Sequence, residues 1–538
     1  MTAATVTPYH SAQPAGNDGF AQLVRAEWDK FRSVRGWAIG MVVAALLMLA
    51  LGLLAVQGSV VCGSTGGPHP KLRTGAACIQ AYPLGPGGEA VTDSFYFVRQ
   101  PLTGNGSVTA RVTSLTNVQS PQAPPGLKTG SRPQPWAKVG IIIKAGTKQG
   151  SAYAAVMVTG GNGVRMQYDF TQDIAGLPGS VSRADPRWLR LTRSGDVVTG
   201  YDSADGTHWT EVGTADLAGL PSTAQVGLFA ASPVSGTFTT TFGGGTGNFG
   251  PTEVTGVFDH VSVSGGEHGG SWTGGPVGTP GGFGPNGQGS GLGYRQDAGT
   301  FTLTGSGDIA PVVTGPGSGS GGTGTIQEHL IGTFAGLIAV IVVATMFITA
   351  EYRRGLIRLT LVASPRRGRV LAAKAVVIGL VTFVMGLITA AIALPVGVQL
   401  SRDQGVYMLP VSGLTTARVV VGTAALLAVG AVLALAVGTI LRRSAAAITA
   451  VIVGVVLVYV VGVFPGVLPS GVGAWLLRVT PAAGFAIQQS VPVSPQVANA
   501  YLPPDYYPLA PWAGFAVLCA YAALAMALAV FLLRRRDA

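Results

Sequence analysis

Six apolar stretches of bilayer-spanning length punctuate this chain: Trp37–Val56, Leu330–Ala350, Ala375–Gly397, Val419–Ile440, Ala445–Phe464 and Pro511–Leu533. About 20 predominantly apolar residues cross a hydrocarbon core of ~30 Å, and no charge interrupts the centre of any of the six. Between the first two the period changes. Short alternating runs at Ser107–Ser114, Val139–Lys144, Tyr153–Thr159, Val164–Phe170, Trp188–Arg193, Val226–Ala230 and Val257–Val263 predict strands, with turn chemistry at Ser194-Gly195-Asp196 and Asp205-Gly206. The fold class expected is an α-helical membrane protein with six transmembrane helices and an all-β extracytoplasmic domain, a sandwich or jelly roll, inserted after the first.

The pattern divides the chain further. Residues 1–19 are small and polar and predict a disordered N-terminus. Over 20–36 the apolar residues Phe20, Leu23, Val24, Trp28, Phe31 and Val34 recur mostly every three or four positions, as on an amphipathic helix lying on the inner membrane face. The first span, 37–57, has too long a polar approach for a cleaved signal and reads as an uncleaved anchor. An extracytoplasmic loop (58–92), the β-domain (93–264) and a Gly/Ser/Pro-rich tether (265–328) follow. The tether carries one strand-like island, Phe301–Val313, and is expected to leave the domain without a precise connection to the membrane half at that end. The second span (329–350), a basic segment (351–374) and the last four helices (375–538) complete the chain. Within that final part, Gly466–Ile487 is too broken by Gly and Pro to span and predicts a short helix or re-entrant hairpin on the outer face.

Charge orients the spans. Arg25, Lys30, Arg32, Arg35, Arg353, Arg354, Arg358, Arg366, Arg367, Arg369, Lys374, Arg442, Arg443, Arg534, Arg535 and Arg536 fall on one side, against Arg402, Arg418 and Arg478 on the other. Basic loops stay in the cytoplasm, so both termini are expected inside a bacterial plasma membrane and the β-domain outside. Residues 58–328 hold 15 basic and 16 acidic side chains, so the net charge of +11 belongs to the membrane half and implies no nucleic acid.

Little enzymatic chemistry is encoded. The strands carry no row of acids for sugar hydrolysis, and His208, His260 and His268 have no metal-ligand spacing. A nucleotide-binding loop needs Gly-x-x-x-x-Gly-Lys-Ser/Thr, yet none of the seven lysines follows a glycine. The chain is therefore expected to be no enzyme and to bind no cofactor itself, with ATP and Mg on another subunit. Cys62 and Cys78, just outside the first span, are a candidate disulfide worth roughly 3 kcal/mol; free thiols are the alternative. Gly422, Gly430 and Gly438 recur every eight residues in the fourth span, suited equally to packing within the chain or against a second copy.

Two resemblances extend this reading. The run Trp188–Gly213, followed by Ala224–Ser232 and Val257–Val263, resembles the concanavalin-like or laminin-G-like sandwiches of bacterial surface proteins. Such domains commonly bind carbohydrate, which makes Trp136, Trp188, Trp209, Tyr168 and Tyr201 candidate sugar-stacking residues; core packing is the plainer role for aromatics in a sandwich.

The segments RAEWDKFRSVRGW (Arg25–Trp37), EYRRGLIRLTLVASPRRGRVLAAK (Glu351–Lys374) and the C-terminal LAVFLLRRRDA resemble the permease subunit of type-2 ATP-binding cassette (ABC) exporters of high-GC actinobacteria. The resemblance covers about half the chain and departs from the usual Gly-Thr at Gly355-Leu356. It implies export by alternating access, two ABC ATP-binding subunits as partners, and a second permease copy or paralogue. It makes Glu27, Trp28, Lys30, Arg32, Glu351, Arg353, Arg354, Gly355, Arg358, Pro365 and Arg367 the candidates for coupling to the ATPase. Charge-free spans suit an apolar or amphipathic cargo. The competing reading is a membrane-anchored surface protein whose β-domain binds a glycan or a protein, for which one span would suffice.

Overall fold

The computed structural model describes residues 19–54, 61–63, 72–74, 82–118, 132–241, 244–278, 291–313, 323–353, 355, 366–404, 406–463, 468, 471–491, 494–498 and 508–535. Among the described residues, six helices are long and apolar enough to cross a membrane. Helix α1 (Phe20–Ser33) turns through one extended residue, Val34, into the first of these, α2 (Arg35–Leu54). The others are α3 (Thr333–Arg353), α4 (Arg367–Asp403), α5 (Gly413–Leu441), α6 (Ser444–Gly462) and, after the short α7 (Val472–Val479), α8 (Pro511–Arg535).

These helices pack on their small residues and leave large ones outside. A Cβ at Gly422 would meet Ile487 at 2.3 Å, one at Gly430 would meet Leu337 at 2.7 Å, and one at Gly438 would meet Ile348 at 2.9 Å. The glycine row of the fourth span is thus occupied by close packing within the chain. On the outer surface Leu46 is 59% and Leu524 69% exposed, a pattern that fits contact with lipid. After α7 a 3₁₀ turn, Pro481–Gln488, re-enters the bundle with its side chains buried. There Gln488 Nε2 donates to Thr333 Oγ1 at 3.1 Å and to Thr423 Oγ1 at 3.0 Å.

Between α2 and α3 two antiparallel sheets face each other. One runs in the order Thr210–Asp216, Val197–Ser203, Arg187–Ser194, Gly106–Val118, Glu253–Ser264, Thr300–Ser306, Gly293–Asp297. The other runs Glu267–His268, Phe95–Thr103, Thr223–Ala231, Lys138–Lys144, Tyr153–Thr159, Val164–Tyr168, Gln172–Ala175, with Thr273–Val277 also paired to Phe95–Thr103. Val108, Val112, Leu189 and Leu191 of the first meet Val139, Ile141, Val156 and Leu228 of the second in a common core. The second sheet is buried on its far face too, by Phe95, Phe97, Tyr153, Phe170 and Phe229. Lys138 and Lys144 lie on that far face, fully buried, with Nζ 2.6 Å from Asp308 Oδ1 and 2.8 Å from Asp93 Oδ2.

Three expectations change. The sheets do not stop at Ser264: besides Thr300–Ser306 and Ile309–Pro311, which fall on the expected strand-like island, Thr273–Val277 and Gly293–Asp297 are strands within the stretch expected to be tether. Their Gly and Pro content looks like linker, but such residues suit edge strands, where Pro276 and Gly293 stand. Asp205-Gly206 does not make a two-residue turn. It sits in the longer loop 204–209, where Asp205 Oδ1 accepts from the amides of Thr207 and His208, each at 2.8 Å. Gly195-Asp196 does make the tight turn, with Gly195 at φ 63°.

The third change concerns the connection to the membrane half. Thr323–Gly324 pairs in parallel with Tyr407–Met408, between α4 and α5. The hydroxyl of Tyr407 accepts from the Ala90 amide at 2.8 Å and donates to the Gly88 carbonyl at 3.3 Å. Gln496 Nε2 donates to the Phe170 carbonyl at 3.1 Å, and Ala310 and Val313 bury themselves against Val491 and Val497, with Leu409 at the edge. The domain is docked on the bundle rather than hung from it. Tyr407→Phe removes one acceptor of a buried amide, a loss of about 1 kcal/mol, so the Ala90 amide should exchange roughly fivefold faster in hydrogen–deuterium exchange. Unchanged protection would discount that contact as an anchor.

Candidate functional site

At the end of the bundle remote from the β-domain, three helices converge on one charge cluster. Glu27 lies on the buried face of α1, Glu351 in the last turn of α3 and Lys374 in the second turn of α4. Lys374 belongs to the face Val370, Leu371, Lys374, Val377, Ile378, buried at helical spacing, so the packing that seals α4 also takes its ammonium out of water. Lys374 Nζ stands 2.6 Å from Glu27 Oε2 and 2.6 Å from Glu351 Oε1. Lys30, one turn after Glu27, closes the figure at 2.8 Å from Glu27 Oε1 and 3.4 Å from Glu351 Oε1.

Two cations and two carboxylates alternate and cancel. For Lys30, which keeps contact with solvent, burial works against the charge, but its bonds and attraction to Glu27 and Glu351 prevail and raise its pKa above the ordinary lysine value. Glu351 Oε2 is buried with no protein hydrogen-bond partner among the described residues. Aromatic rings wall the cluster: Phe347 lies with its centroid 4.7 Å from Lys374 Nζ, and Phe31 and Trp37 pack on Phe347 with centroids 5.9 and 4.9 Å away. Charges sealed this way attract with little screening.

Of the coupling candidates, the structure thus joins Glu27, Lys30 and Glu351. Trp28 and Arg32 are exposed on α1, and Arg353 and Gly355 are exposed at the end of α3, Gly355 at φ 69°. Arg367 donates from Nη1 to the Leu533 carbonyl at 2.7 Å, tying the start of α4 to the end of α8. Arg354, Arg358 and Pro365 lie outside the described residues. The residue that sequence reasoning missed as a site is Lys374, which was counted only among basic topology signals. Its signal was its place between Ala372-Ala373 and Ala375-Val376, a lone lysine at the start of an apolar helix.

The aromatic candidates of the β-domain separate. Trp136 is buried, with the Arg165 guanidinium 5.7 Å from its centroid, and Tyr168 packs partly buried against the core. Trp188 and Trp209 line one open cleft on the outer face of the first sheet, and Tyr201 stands across the strand pair from Arg190 of that cleft. Cys78 lies outside the described residues, as do the side-chain surroundings of Cys62, so their bridge does too. Among the described residues no group of His, Cys, Asp and Glu is suited to a metal ion.

Lys374→Met would strand two buried carboxylates and should destabilise the bundle by about 3–5 kcal/mol. Adding Glu27→Gln and Glu351→Gln should recover more than half of that loss in denaturation in mild detergent. Equal losses for the single and triple variants would deny that the four charges act together.

Solved structures similar to parts of this chain include a functionally unknown protein from Saccharomyces cerevisiae (16% identity, 34% of this chain and 80% of that one, TM-score 0.18). Two others are scytalido-glutamic peptidase with a transition state analog inhibitor (11%, 41% and 100%, 0.24) and SCP-B, a member of the eqolisin family of peptidases, with the tripeptide Ala-Ile-His (11%, 41% and 100%, 0.23). Scores this low carry no argument about fold or activity here. No curated protein matches the chain. The family model described as ABC-2 family transporter protein matches residues 27–538, from Glu27 of the charge cluster through all six membrane helices. This multi-pass membrane chain therefore belongs to the ABC-2 transporter family, whose ATP-binding component is a separate subunit.

Proposed function

We propose that this chain is the permease subunit of an exporter that moves an apolar or amphipathic substrate by alternating access, driven by a separate ATPase. The observation that carries the coupling role is the charge cluster. Lys374 holds α1 and α3 against α4, so a push on α1 or on the end of α3 reaches the bundle through ion pairs rather than through a loose loop. Exposed Trp28, Arg32 and Arg353 beside it form the face that meets the ATPase. Two such permeases, or this chain and a paralogue, flank the substrate path.

Orientation follows from charge. Arg353, Arg367, Arg442, Arg443, Arg534 and Arg535 all stand at helix ends remote from the β-domain, and basic ends stay in the cytoplasm. The cluster accordingly faces the cytoplasm with both termini, and the β-domain faces outward. The apolar span centres favour a cargo that leaves water readily over an inorganic ion.

The test is purification of the tagged chain from its native membrane in mild detergent. Wild type should bring down an ATPase carrying the Gly-Lys-Ser/Thr loop that this chain lacks. Arg32→Glu with Arg353→Glu should cut its recovery by about tenfold or more through like-charge repulsion at the contact. Lys374→Met should retain the partner while uncoupling its ATP hydrolysis from substrate. Absence of any ATPase with wild type would sink the permease reading and leave the anchored binding protein in its place.

A further inference from the structure

The open cleft of about 420 Å³ on the outer face of the first sheet is walled by Trp188, Trp209, Arg190, His260, Thr109 and Ser262. Its volume falls within the range of small-molecule sites, roughly 300–1,000 Å³. Each indole has a partner over its ring. The Arg190 guanidinium lies 3.9 Å from the Trp209 centroid, so it covers that ring. Trp188 is packed by the Gly206 turn, where a Cβ would come 2.7 Å from the ring, and by His260 with centroids 5.1 Å apart. Arg111 approaches the same ring at 5.5 Å.

The two arginines differ in what they face. Arg111 is neutralised by Asp259, Nε to Oδ1 at 2.7 Å and Nη2 to Oδ2 at 2.6 Å. Arg190 donates from Nε to Thr109 Oγ1 at 3.2 Å and has no carboxylate within ion-pair distance among the described residues. A guanidinium held over an indole, with its Nε on Thr109, leaves its terminal Nη donors to meet a planar or tetrahedral oxyanion with two parallel bonds. The cleft is also shaped by a β-bulge between Asp259 and Ser262, in which His260 takes φ 50°. Bulges re-aim side chains beside binding sites, and a non-glycine residue at such φ carries local strain.

We infer that this cleft binds the oxyanion of an acidic saccharide, with Arg190 as the anion receptor, Thr109 fixing its fork, and Ser262 and the edge of Trp188 meeting the sugar's hydroxyls and C–H face. The tryptophans serve as backing for the cation rather than as stacking platforms for a neutral sugar. The ligand class, a surface glycan, rests on the outward placement of the domain proposed above; the binding site itself does not.

Calorimetric titration of the full chain in detergent tests this with hexagalacturonate, neutral maltohexaose and glycerol phosphate. Hexagalacturonate should bind about tenfold or more tighter than maltohexaose, and added salt should weaken it. Arg190→Gln should lose about tenfold or more, the scale of a charge-assisted pair of hydrogen bonds. Arg295→Gln, on the far edge strand, should change nothing. Thr109→Val, which loosens Arg190 without removing the charge, should fall between, and it carries the test if Arg190→Gln does not fold. Competition by glycerol phosphate identifies a phosphate-bearing glycan, and failure to compete a carboxylate-bearing one. Equal affinity for maltohexaose, no binding by hexagalacturonate, or unchanged binding in both cleft variants overturns the inference. None of these outcomes depends on which ATPase the chain recruits.

Discussion

An ammonium group withdrawn from water must be met by negative charge, and Lys374 finds it on two other helices. That requirement organises the end of the bundle remote from the β-domain. Placing Lys374 fixes where Glu27 must stand, hence how α1 lies, and where α3 must end. Buried ion pairs add little net stability because desolvation offsets their attraction. They are intolerant of misplacement, however, since a displaced carboxylate leaves a bare charge behind. The cluster therefore defines positions more than it adds strength.

The same helix reaches the other specialised region. From Lys374, α4 continues unbroken by any loop to Asp403, and Tyr407, four residues on, holds the base of the β-domain. Sheet, hydroxyl and apolar contacts join at that base, so the domain and the α4–α5 connection share one foundation. Charge cluster and docked domain thus stand at the two ends of one structural member, about 1.5 Å of rise for each intervening residue.

Much of this architecture was legible in the sequence, for physical reasons. Lipid demands long apolar runs, and a pleated sheet demands alternation, so six spans and the inner strands declared themselves. Glu27, Lys30 and Glu351 were reachable through the resemblance of their segments, although nothing in their spacing paired residues more than 300 positions apart. Lys374 stayed hidden because a lone lysine among arginines looks like topology, and only its burial on the face of Val370 and Val377 tells otherwise. The docking of the domain was invisible for a similar reason. It is made by two-residue strands and single side chains such as Tyr407 and Gln496, none of which has a period to read. The strands Thr273–Val277 and Gly293–Asp297 were masked by glycine and proline, which edge positions accept and linkers share. Trp188 and Trp209 were found as aromatics, but that arginine would cover one of them could only come from the sheet register.

The apolar contact of Ala310 and Val313 with Val491 and Val497 also bears on modularity. An inserted domain that merely interrupts a loop can be cut out or exchanged and leave its host intact. Here the host has given the insert part of its own surface: without it, Val491, Val497 and Leu409 would meet water, and Tyr407 would lose both of its hydrogen-bond partners. Insert and membrane half thus form one structural unit, in which a change on either face of the contact has to be matched on the other.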